Sequence, residues 1–185
     1  MGETGSHNRQ LALFSSLFSV LTRARSSIPA RRASRPRVPR QVRPQVSDAR
    51  LFAVWEDVAR RYFPTRIDLL DYSVHWSPRP QRRTLASCNI SKKRILVARE
   101  LTSLEHQERL EPLLYHEMCH AVLGKDVGYM GSKRAWHGPR FRALERKHPA
   151  ISALNEWIRS GGWAKAVRSD RARAAALARY RGNSR

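Results

Sequence analysis

A chain of 185 residues, 41% hydrophobic and 28% charged, suits one folded domain with appendages and excludes a wholly disordered or collagen-like polymer. No stretch reaches the roughly 18 uncharged apolar residues that a membrane-spanning helix needs, and two cysteines, Cys88 and Cys119, cannot build a disulfide framework or a four-cysteine zinc module. Net charge is +21, and two thirds of that excess lies in residues 1–47 and 151–185, the electrostatic profile of a tether for nucleic acid or another anionic surface. A reducing, cytoplasmic setting is the simpler expectation, extending to the nucleoid if nucleic acid is bound.

Leu11, Phe14, Leu17, Phe18 and Leu21 recur every three or four positions, which predicts a short amphipathic helix near the N-terminus. Ser15, Ser16 and Ser19 interrupt its apolar run and Arg23 and Arg25 follow it, a pattern that disfavours a secretory signal. From Ser26 to Val46, Pro29, Pro36, Pro39 and Pro44 stand among arginines, the composition of an extended, solvated linker. Residues 1–46 are therefore expected to be a helix and linker, residues 47–163 the folded domain, and residues 164–185 a basic Ala/Arg-rich tail.

Ser47 can cap a helix whose apolar positions Leu51, Trp55, Val58 and Tyr62 form one stripe and which must stop before Pro64. Three short β-prone runs follow, at 73–76, 84–88 and 94–98, and their turn-like spacers predict a small antiparallel meander. Thr102 and Glu105 have capping-box spacing and predict a helical start. Pro112 then either kinks that helix or sits in the first turn of a new one. The segment up to Gly124 is apolar enough to be the buried central helix. A glycine-punctuated loop leads to Trp136-His137-Gly138-Pro139, and two more helices are expected before Pro149 and from Ile151 to Arg159. The tail from Lys165 reads as a helix with little core contact. The class is α+β.

Within the apolar helix stands His116-Glu117-Met118-Cys119-His120. Residues four apart on a helix share one face about 5–6 Å apart, so two imidazoles there can converge on one metal ion. Catalytic zinc keeps a water in its open position, lowers that water's pKa to around 7, and needs a neighbouring carboxylate to take the proton. Glu117 is placed for that role. Burying two histidines and a glutamate without a partner would be costly, which weighs against a plain structural helix. A third protein ligand is required, and His75, His106, His137 and His148 compete for it. His137 is the best placed, because a glycine-bearing loop can double back and Gly138 permits close backbone approach. His148, at a helix end, is expected to cap a carbonyl, and His106 to face solvent. Cys119 reads as a small buried hydrophobe. Tyr115, Tyr129 and Arg134 are all near enough in sequence to stabilise an oxyanion, and the sequence does not choose among them.

These residues, with His137-Gly138-Pro139-Arg140-Phe141 and the upstream runs Val74-His75-Trp76, Arg83–Cys88 and Arg94–Val97, resemble the SprT-like zinc metalloproteases, the group that includes Spartan. The resemblance spans most of Ser47 to Pro149. It implies a minigluzincin-like fold, a small sheet packed on the central HExxH helix, and Zn2+ held by His116, His120 and His137. It also implies Glu117 as general base and DNA-associated proteins as substrates. Many relatives carry a cysteine-based zinc ribbon after this domain, whereas nothing here after Pro149 contains a cysteine. Any recruitment to DNA would then rest on the arginine-rich ends. The resulting expectation is a monomeric zinc-dependent endopeptidase. The alternative is a nucleic-acid-binding protein whose zinc site is structural or vestigial. Glu117 argues against a three-histidine ribonuclease, which lacks a carboxylate at that place in its motif.

Overall fold

A computed structural model describes residues 47–124, 126, 129–130, 133–134 and 136–183. The expected N-terminal helix and Pro/Arg-rich linker lie outside the described residues. Helix α1 (Ala49–Tyr62) buries Leu51, Trp55 and Val58, as the stripe requires, and gives way at Phe63 before Pro64. Its cap is Asp48, whose carboxylate accepts from the Leu51 N–H at 3.1 Å. Ser47, expected in that role, instead accepts from the Val74 N–H at 3.1 Å and joins the helix start to the first strand. Trp55 is fully buried and donates from Nε1 to the Leu69 carbonyl at 2.8 Å. That carbonyl also accepts from the Tyr72 N–H. Trp55→Phe should therefore cost about 1 kcal/mol, for one of two donors, whereas Trp55→Ala should cost about 3–5 kcal/mol by urea denaturation.

The sheet corrects the expected meander. β1 (Ser73–Trp76), β2 (Ala86–Asn89) and β3 (Arg94–Val97) lie in the order β1-β3-β2. β1 runs parallel to β3 with Val74 opposite Ile95, and β2 runs antiparallel to β3 with Cys88 opposite Ile95, so the sheet is mixed. Consecutive strands usually neighbour one another, but here the chain after β1 contains Pro78 and Pro80, which cannot donate to a ladder. The Ser77 N–H bonds the Val97 carbonyl and the Ser77 hydroxyl bonds the Arg79 carbonyl, which carries the chain past the end of β3. The tight turn at Ile90–Lys93 then returns β3 into the vacant middle, with Lys93 at φ 43°.

After β3 come two short 3-10 turns, Arg99–Leu101 and Leu104–His106, in place of the expected capping box: the Thr102 hydroxyl bonds the Arg99 carbonyl. Helix α2 (Gln107–Leu123) follows with no side-chain cap. Pro112 sits in its second turn rather than its first, and removes one internal N–H there. Every residue from Pro112 to Ala121 is buried, the motif included: His116, Glu117 and His120 are each under a tenth exposed. The helix contacts α1, β2 and the two helices that follow it, α3 (Pro139–Glu145) and α4 (Ile151–Arg159). A two-stranded ribbon, β4 (Tyr129–Met130) with β5 (Lys133–Arg134), lies between α2 and α3 in sequence.

Helix α5 (Gly162–Asn183) begins in the core rather than outside it, burying Trp163, Ala166 and Val167. Gly162 is required at its start, because a Cβ there would stand 2.1 Å from the Trp157 ring. Beyond Asp170 every described side chain of α5 is exposed. Among the described residues no helix is long and apolar enough to cross a membrane.

Candidate metal centre

The site forms where α3 starts against the middle of α2. His116 and His120 occupy one face of α2 with ring centroids 5.1 Å apart. His137, just before α3, brings its ring to 5.3 Å from His116 and 4.9 Å from His120. One nitrogen from each ring lies within 4.8 Å of the others, and His120 Nε2 stands 3.2 Å from His137 Nε2. Phe141, one turn into α3, fits beneath all three imidazoles at centroid distances of 5.0, 4.5 and 4.8 Å.

Backbone contacts hold this arrangement. Pro139 opens α3 with a preset φ and no N–H to satisfy. The Arg142 Nε–H donates to the His137 carbonyl at 2.9 Å, and the Tyr115 hydroxyl donates to the Leu144 carbonyl at 2.8 Å, tying α2 to α3. Tyr115 is thereby committed to structure. Its two rivals for an oxyanion role, Tyr129 and Arg134, have side chains outside the described set.

Electrostatics sort the site's groups. Burial, then the neighbouring rings, hold His120 well below the usual imidazole range, and burial with the charge of His116 brings His137 down to about 4. Both are therefore neutral near pH 7, the form that ligates a metal. His116 goes the other way. Burial lowers its pKa, but its hydrogen bond to Glu145 and the charges of Glu117 and Glu145 outweigh that and raise it. Glu117 is pushed up to about 7 by burial, against the opposing effects of His116 and of a hydrogen bond from the Cys88 backbone N–H on β2. Its Oε1 is buried with no hydrogen-bond partner among the described residues.

The donor set fits zinc. Two nitrogens each about 2.0–2.1 Å from a tetrahedral zinc stand about 3.3 Å apart, close to the 3.2 Å between His120 and His137. Three imidazoles would leave one position of a tetrahedral ion to another group. The competing histidines lie elsewhere. His75 is on β1, and His106 is buried beside Trp157 rather than facing solvent. His148 donates from Nε2 to Glu111 at 3.1 Å and accepts from the Ala150 N–H, so it caps no carbonyl. Cys119 is buried, and burial followed by the charge of Glu145 pushes its thiol up, which suits an inert apolar role.

One residue escaped the sequence reading. Glu145 accepts from His116 Nδ1–H at 2.6 Å with its side chain only 12% exposed. Glu145 stands four residues after Phe141 on α3, the spacing that puts both on one helical face.

A model of the SprT-like family matches residues 51–156, more than half of the chain. The chain belongs to the SprT-like family. Membership gives it a zincin-type, metallopeptidase-like domain in a family typically associated with zinc. Neither curated proteins nor solved structures gave a match. The matched span includes all three clustered histidines, Glu117 and Glu145.

Proposed function

We propose that this SprT-like protein is a zinc-dependent endopeptidase, with His116, His120 and His137 as metal ligands and Glu117 as general base. The observation that carries the reading is the convergence of two buried imidazoles and a half-buried one beside a buried carboxylate whose pKa of about 7 suits proton exchange at neutral pH. When bound there, zinc supplies a Lewis acid that polarises a carbonyl and acidifies water. The protein's share is positional. The Cys88 N–H steadies the Glu117 carboxylate, which takes a proton from the attacking water and returns it to the leaving amine. Purified full-length chain should cleave casein, lose that activity on chelation and regain it with added zinc. Undiminished cleavage after complete metal removal would refute the assignment.

A second element of the reading is recruitment to nucleic acid, supported by α5. Lys165, Arg168, Arg171 and Arg179 are exposed on it, while its acidic residue, Asp170, is engaged by Arg99 at 3.3 Å. Lys165, Arg168 and Arg179 project from the side opposite Trp163 and Ala166 by helical periodicity. Such a face matches the charge of a phosphate backbone and would bring cleavage near DNA-associated proteins. Changing these four residues to glutamine should flatten the slope of log affinity against log salt by up to about 3.6 for duplex DNA. Fluorescence anisotropy measures the slope, and an unchanged value would assign binding elsewhere.

A further inference from the structure

We infer that Glu145 is a positioning residue of the metal centre: it fixes the orientation and tautomer of His116 and supplies the negative charge that tightens zinc binding. The inference rests on the reading that the three histidines hold zinc. Imidazole offers two nitrogens, and only one can serve a given metal. In this structure Nδ1 of His116 is committed to Glu145 Oε1 at 2.6 Å, which leaves Nε2 as the nitrogen available to the cluster. His116 is 1% exposed, so water has little access to the imidazole end of that bond.

The placement comes from α3 alone. His137 precedes this helix, Phe141 packs under the three rings, and Glu145 ends it. One short helix and the residues leading into it thus deliver a ligand, a floor and a buttress at intervals of four residues. A carboxylate donating electron density through a ligating imidazole raises that ligand's basicity, and loss of such a partner typically weakens metal binding 10–100-fold. Two neutral imidazoles leave the dication's charge uncompensated, and the Glu145 carboxylate behind the third offsets part of it.

The fold supplies its own control. His148 and Glu111 form a second histidine–carboxylate pair, Nε2 to Oε1 at 3.1 Å, whose members are not in the cluster. Zinc affinity of the full-length chain, measured by competition with a chromogenic chelator, should fall about 10-fold in Glu145→Gln and up to about 100-fold in Glu145→Ala. Glu111→Gln should match the wild type. The visible spectrum of the cobalt-loaded protein should change in the Glu145 variants and not in Glu111→Gln, because it reports ligand geometry. Wild-type affinity in Glu145→Gln and Glu145→Ala, or equal weakening in Glu111→Gln, would overturn the inference while leaving the metal centre intact. A wild-type chain that binds no zinc would instead overturn the metal reading, and this inference with it.

Discussion

Replacing Glu117 by glutamine should leave zinc content unchanged and cut peptide hydrolysis by about two to four orders of magnitude. The side chains have the same shape, and a glutamine carbonyl can still accept the Cys88 backbone N–H that steadies the native carboxylate. What disappears is the ability to take a proton. Glu117 is 1% exposed, so bulk water and buffer have little access to replace it as a base. The three imidazoles are untouched, which separates this variant from any that acts by expelling metal. Zinc per chain by atomic absorption, with turnover of a fluorogenic peptide, tests both halves of the expectation. Equal turnover in the two proteins would rule out Glu117 as the base.

The parts of the molecule that follow helical periodicity were readable in advance. Leu51, Trp55 and Val58 define the buried stripe of α1, and the four-residue spacing of His116 and His120 places both rings on one face of α2. His137 could be chosen over its rivals because the chain after a glycine-bearing loop has the reach to return. Strand order was not readable. Each strand is four residues long and pairs by backbone groups that every residue carries, so the letters do not say which neighbour it takes. The passage of the chain around the end of β3 depends on Ser77, whose polar contacts exist only after folding.

Caps and buried polar groups failed for a related reason. Thr102 and Glu105 have the right spacing, yet the Thr102 hydroxyl bonds the Arg99 carbonyl and α2 starts without a side-chain cap. His106 looked like a surface residue by composition, but Trp157 of α4 covers it, a contact between segments fifty residues apart. Glu145 lies outside the His116–His120 motif and meets His116 from a different helix, 29 positions away in the chain. Its contact with His116 arises only when α3 packs against α2.

Removing the aromatic ring at Phe141 should have the largest effect on stability around the site. The side chain is fully buried and touches all three imidazoles, so Phe141→Ala should lower unfolding free energy by about 3–5 kcal/mol, the loss combining burial with an unfilled cavity. Phe141→Leu, which retains much of the volume, should cost less than about 1.5 kcal/mol. Metal provides a further discriminating measurement. The unfolded chain has no preformed cluster, so a ligand of the folded state stabilises by mass action, about 2.7 kcal/mol at free zinc 100 times its Kd. Excess zinc should raise the urea midpoint of the wild type by that mechanism. It should recover less in Phe141→Ala, because the rings that Phe141 holds together must then be ordered at binding. If zinc stabilises both proteins equally, Phe141 acts only as core filling and the imidazoles keep their positions without it.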